Sequence, residues 1–138
     1  MSGFIAKMFK QEGDSPRLFQ SVGKFLVNRD VIKTLGGQII TKDGFYWSVL
    51  FGENSVLGFA VLEQDEEIGH LKYLYINPEE EKITGYRALI KELVDKLETL
   101  DSLWTVDHIE RKEMWEKLGF KKAKQKSGNW YYFERKIK

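Results

Sequence analysis

The chain of 138 residues has no cysteine, two histidines and two prolines. Without cysteine there is no disulfide framework and no thiolate metal site. The two histidines, His70 and His108, have no close pattern of acidic partners, so no metal is expected. No run approaches the ~18 consecutive apolar residues that span a bilayer. Met1-Ser2-Gly3-Phe4 also lacks the charged-then-apolar pattern of a secretion signal. The expectation is a cytoplasmic protein with no membrane partner. No G-x-S-x-G or similar motif supports a covalent nucleophile. Linkers, repeats and low-complexity tracts are missing too, so residues 1–138 read as a single domain.

What is present argues for a packed core: 42% of the residues are hydrophobic and 14% aromatic. The net charge of +1 favours no partner by itself, but the charges are unevenly placed. Glu63, Asp65, Glu66, Glu67 and residues 79–81 make the middle acidic, whereas Lys121, Lys122, Lys124, Lys126, Arg135, Lys136 and Lys138 make the end basic. Such asymmetry can steer a ligand or only keep the surface solvated.

In chain order, residues 4–9 read as a first strand. Ser15-Pro16 places an N-cap residue before a proline at the first helical position, and Leu18, Phe19, Val22, Phe25 and Leu26 carry a helix to Val27. Asn28 caps a second short helix that Gly36-Gly37 stops. Residues 45–51, 56–62 and 70–77 form three strands, the middle one apolar on both faces and so expected inside a covered sheet.

The stretch 70–100 organises the rest. A strand, 70–77, is followed by a helix whose apolar positions Leu89, Ile90, Leu93, Val94 and Leu97 fall on one face. Between them Lys82-Ile83-Thr84-Gly85-Tyr86 can open the helix with free N–H groups facing an anion. Alternatively Asn77-Pro78-Glu79-Glu80 is a capping box, and the helix starts at Pro78. Residues 103–106 then read as a strand, which a right-handed crossover sets parallel to the one before the helix. A helix over 109–118, capped by Asp107, and a hairpin of 120–126 and 130–137 finish the chain. The order is β-α-α-β-β-β-α-β-α-β-β, an α/β protein with a mixed (α+β) sheet.

Leu74-Tyr75-Ile76-Asn77-Pro78 ahead of the long helix, and Trp115-Glu116-Lys117-Leu118-Gly119-Phe120 some ~40 residues later, resemble motifs of the GNAT superfamily of N-acetyltransferases. The resemblance implies the GNAT-like acyl-CoA N-acyltransferase fold, with acetyl-CoA as acyl donor to a primary amine. It implies that the pantetheine arm pairs with the backbone of Leu74, Tyr75 and Ile76. The pyrophosphate would then rest on the turn of Lys82, Ile83, Thr84, Gly85, Tyr86 and Arg87. The match is atypical: of the family's usual Arg/Gln-x-x-Gly-x-Gly/Ala run only the final glycine is present, as Gly85, so the pyrophosphate loop is degenerate.

The family's usual acid tyrosine on the last helix is Trp115 here, and an indole cannot protonate a leaving thiolate. His108 stands where the family carries a cofactor-contacting asparagine. It is a candidate acid, with a surface histidine beside the Asp107 cap as the alternative. His70 occupies the place of the family's general base, with an exposed structural histidine after Gly69 as the alternative; Lys72, Leu74 and Ile76 are expected on its strand face and Tyr73 and Tyr75 on the other. The acceptor is an amine on a small molecule, a protein or a nucleic acid. The alternative function is a GNAT-shaped module without acetyl transfer, binding nucleic acid or protein. Lys122, Lys124 and Lys126 alternate along one strand face and Trp130, Tyr131 and Tyr132 follow, which suits a nucleic-acid backbone and its bases. It also suits an edge strand whose lysines block aggregation.

Overall fold

The computed structural model describes residues 4–13, 15–77 and 82–138. It contains one seven-stranded sheet in the order β1-β2-β3-β4-β5-β7-β6. The strands are β1 (Ile5–Lys10), β2 (Tyr46–Phe51), β3 (Val56–Asp65), β4 (Ile68–Ile76), β5 (Ser102–His108), β6 (Lys121–Ser127) and β7 (Trp130–Lys136). Every neighbouring pair is antiparallel except β4 and β5, as the crossover between them requires. The element order agrees with the order expected from the sequence.

Two helices cover one face of the first half of the sheet. In α1 (Pro16–Leu26) the buried residues Leu18, Val22 and Phe25 form a single stripe. They meet Trp47, Val49, Phe59, Val61 and Tyr75 from β2, β3 and β4. The indole of Trp47 is fully buried, and its N–H donates to Gln11 Oε1 at 3.0 Å, so burial leaves no polar atom unpaired there. Asn28 caps α2 (Arg29–Thr34) as expected, accepting from the N–H groups of Asp30 and Val31. Ser15 does not cap α1. Its backbone is left-handed, with φ of 40°, and its hydroxyl turns back to accept from the Glu12 N–H and donate to the Glu12 carbonyl.

The opposite face is covered by α3 (Lys82–Lys96), whose Gly85, Tyr86, Leu89, Ile90 and Leu93 are buried. They share a second core with Leu50, Leu62, Leu71, Ile76, Leu103, Trp115 and Phe133. The Glu92 carboxylate of α3 accepts from the backbone N–H of Met8 at 3.0 Å, occupying a donor on the edge strand β1. A 3₁₀ turn (Ile109–Arg111) and a short α4 (Lys112–Lys117) replace the single helix expected over 109–118. Residues 78–81, including the proline and the acidic run of the alternative helix start, lie outside the described residues.

Candidate active site

The parallel pairing of β4 with β5 covers only Ile68↔Ser102, Gly69↔Leu103 and His70↔Trp104. Beyond it the strands diverge, and among the described residues 71–76 have no strand pairing on the β5 side. The Thr105 hydroxyl donates to the Leu71 carbonyl at 3.1 Å, a last buried bridge across the opening. A β-bulge marks the same place. Val61 pairs with Tyr73 and Leu62 with Leu71, which leaves Lys72 as the extra residue. Bulges bend a strand and increase its twist, which carries the end of β4 away from β5.

The bulge also reverses the side-chain alternation. Leu71, Leu74 and Ile76 all pack in the α3 core, whereas Tyr73 and Tyr75 pack with α1 and α2. Strict alternation would put His70, Lys72, Leu74 and Ile76 on one face. Instead His70, next to Leu71, lies on the face opposite Leu74 and Ile76, and Lys72 projects from the bulge to within 3.4 Å of Glu63.

Between the diverging strands is a cleft of about 390 Å³. Leu71–Leu74 and Thr105–Asp107 form its strand walls, Lys82 and Tyr86 of α3 and Met114 and Trp115 of α4 one side, and residues 33–36 its far mouth. Asp107 organises its polar end. One carboxylate oxygen accepts from Arg111 at 2.6 Å and the His108 N–H at 2.7 Å; the other accepts from the Trp115 indole at 2.9 Å. The indole is 3% exposed and wedged between Phe120 and Phe133, so its single donor is committed. Tyr86 is different. Its ring is buried, yet its hydroxyl makes no hydrogen bond to a described residue and is not sealed off. Burial pushes this phenol above its ordinary pKa; Tyr75 and Asp107 add to the rise and Arg111 opposes it.

The residues expected at the cofactor are only partly gathered here. Leu74, Lys82 and Tyr86 line the cleft. Tyr75 is buried on the other face against Phe25 and Phe59, and Ile76 is buried beneath α3. Ile83 packs half-buried on the α3 core and Thr84 is exposed. Gly85 is buried, and a Cβ there would come within 2.8 Å of Ile76 Cδ1, so close packing of α3 on β4 explains the glycine. Arg87 points away and donates to the Lys117 carbonyl at 3.1 Å, closing the end of α4.

Neither histidine lines the cleft. His108, not Asp107, caps the 3₁₀ turn: its Nδ1 accepts from the Glu110 N–H at 3.2 Å, and its ring stands edge-on to Trp130. His70 borders a separate hollow on the other face of the sheet, with Trp104, Lys126 and Tyr132. The lysines of β6 do not share a face either. Lys122 lies over Tyr131 and Lys124 over Tyr132, and the neighbours Tyr131 and Tyr132 point to opposite sides of β7. The bulges between β6 and β7 break the alternation. Sequence reading takes Asp107 for a cap and does not single out Arg111. The spacing of Arg111 four residues after Asp107 is the signal that could have found the pair. No group of metal-binding side chains occurs among the described residues.

No family model and no curated protein matches the sequence. Solved structures do match the fold. An acetyltransferase from Thermus thermophilus superposes with a TM-score of 0.74 at 13% identity, covering 99% of this chain and 100% of that one. An acyl-CoA N-acyltransferase from Pseudomonas aeruginosa gives 0.73 at 8% identity, over 96% and 99%. N-acetylglutamate synthase from Neisseria gonorrhoeae, complexed with coenzyme A and N-acetylglutamate, gives 0.58 at 15% identity, over 97% of this chain and 35% of that one. Identities this low speak for architecture alone. The order of strands, the single parallel join and these superpositions together show that the chain has the GNAT acyl-CoA N-acyltransferase fold.

Proposed function

We propose that the protein is an N-acetyltransferase that takes its acyl group from acetyl-CoA and gives it to a primary amine. The observation that carries this reading is the early end of β4–β5 pairing, which leaves the backbone of Lys72, Tyr73 and Leu74 without a β5 partner at the cleft. Those free N–H and C=O groups can pair with the amide-bearing arm of a pantetheine chain, as a further strand would. Lys82, at the start of α3 and at the cleft, supplies positive charge to the cofactor's phosphates alongside the first N–H groups of the helix. Arg87 is occupied by α4 and is left out of the site.

In this reading the amine attacks the thioester carbonyl directly, and the carbon–sulfur bond breaks as the tetrahedral adduct collapses. The departing thiolate needs a proton. Asp107, Arg111 and Trp115 are tied to one another, so the unpartnered hydroxyl of Tyr86 is the donor.

Calorimetric titration with acetyl-CoA, with thermal unfolding alongside, tests the reading. Saturable binding is expected, and cofactor at 100 times Kd should stabilise the fold by about 2.7 kcal/mol. Absence of binding at millimolar acetyl-CoA refutes it. The exposed β6, with its four lysines, supports a second reading as a nucleic-acid-binding module. That reading expects single-stranded RNA or DNA to bind with an affinity falling steeply as salt rises.

A further inference from the structure

Helices α1 and α2 cover β2, β3 and β4 on their side of the sheet, but no described helix covers β5, β7 or β6 there. On this bare face lies the hollow of about 220 Å³ bordered by His70, Lys72, Trp104, Val106, Lys126 and Tyr132. Leu71, Lys72, Thr105 and Val106 border both this hollow and the cleft, whose far mouth at residues 33–36 lies on the same face, so the two spaces adjoin at the opening between β4 and β5. A molecule in the hollow can therefore meet a thioester in the cleft. At that size the hollow is below the range of about 300–1,000 Å³ that takes drug-sized ligands.

Its chemistry is selective. Trp104 and Tyr132 stand edge to face, 6.2 Å apart, and form an aromatic corner in which Lys124 already lies over one face of Tyr132. Lys72 and Lys126 are the charged groups at its border, and no carboxylate lines it. Lys72 is held by Glu63, which also pairs with Lys42, whereas Lys126 makes no ion pair with a described residue. His70 sits at the last β4–β5 pair and makes no hydrogen bond to a described residue, so both ring nitrogens are free.

We infer that this hollow takes the acceptor, and that the acceptor is a small aromatic amine bearing a carboxylate, of the kind represented by an aromatic amino acid. The inference rests on the transferase reading and names its second substrate. The ring lies in the corner of Trp104 and Tyr132, and Lys126 pairs with the carboxylate. His70 removes one proton from the ammonium group. The free amine then forms the carbon–nitrogen bond, the carbon–sulfur bond breaks, and Tyr86 gives its proton to the sulfur. The nitrogen releases its second proton, which replaces the one Tyr86 has given, and His70 returns its own to solvent. The products are an amide and free thiol.

The test uses the whole chain with ¹⁵N-labelled indoles and needs no turnover. L-phenylalanine is titrated against phenethylamine, which has the same ring and amine but no carboxylate, and against spermidine. L-phenylalanine should shift the Trp104 indole signal and leave that of the buried Trp47 in place. Phenethylamine and spermidine should bind at least tenfold more weakly. Lys126→Glu, a change on an exposed edge strand, should weaken L-phenylalanine at least tenfold and leave phenethylamine binding no weaker than before. The inference is overturned if L-phenylalanine does not bind, if the other amines bind as well as it does, or if Lys126→Glu changes nothing. Acetyl-CoA binding without L-phenylalanine binding removes this acceptor class alone. L-phenylalanine binding at Trp104 without any acetyl-CoA binding removes the transferase reading, and with it the role as acceptor site.

Discussion

Replacing Tyr86 with phenylalanine is expected to slow acetyl transfer about 10²-fold, the lower end of what a positioned proton donor contributes. The ring remains, so the core that Tyr86 shares with Leu89, Ile90 and Leu93 stays filled and CoA affinity should change little. What disappears is the one hydroxyl in the cleft without a partner among the described residues. Trp115 cannot substitute, because its N–H is held by Asp107. Burial places the Tyr86 pKa above its ordinary value of 10.0, so the hydroxyl stays protonated from pH 6 to 9 and imposes no pH limb there. The linkage has a definite sign. Above pH 10 the unfolded chain loses this proton while the folded chain keeps it, so stability falls as pH rises through that range. Thiol release from acetyl-CoA, followed for both proteins across pH 6–9, measures the effect. Equal rates would remove Tyr86 from the reaction.

Gly58→Ala should destabilise the fold by about 3 kcal/mol, at the upper end of overpacking effects. A Cβ at this position would lie 2.2 Å from the Tyr75 carbonyl oxygen and 2.9 Å from Ile76 Cα, so backbone atoms, which yield least, would have to move. Gly58 pairs with Ile76 at the end of β4 that has left β5. Its missing side chain lets β3 hold that unpaired strand closely and so keeps the wall of the cleft in place. Gly23 is the control. It lies in α1, where an added methyl group would meet nothing within 4 Å, and Gly23→Ala should raise stability by up to about 1 kcal/mol. Urea unfolding of the three proteins with a common m-value decides the matter. A Gly58→Ala midpoint equal to that of the parent would show that β3 and β4 can separate freely.

The element order was legible because it is written in short-range periodicity. Leu18, Val22 and Phe25 repeat at helical spacing and become the buried face of α1; Leu89, Ile90 and Leu93 do the same for α3. The cap at Asn28 needs only the two residues whose N–H groups donate to it within the next turn. The bulge was not legible. Nothing in His70-Leu71-Lys72-Tyr73 distinguishes a strand that skips a pair from one that does not, since the skip is set by the match of β4 to β3. One extra residue moves every later side chain to the other face, and it separated His70 from Leu74 and Ile76.

The sequence by itself determined which segments are helix and strand, and hence the mixed sheet, because those follow from neighbours within a few residues. Only the tertiary structure decided where the candidate site lies. The divergence of β4 from β5, the tie of Asp107 to Arg111 and Trp115, and the placing of His70 on the far face depend on register and packing between distant segments. Residue spacing carries no record of these. The same Gly85 that reads as part of a phosphate turn is, in the folded chain, the point where α3 rests on Ile76.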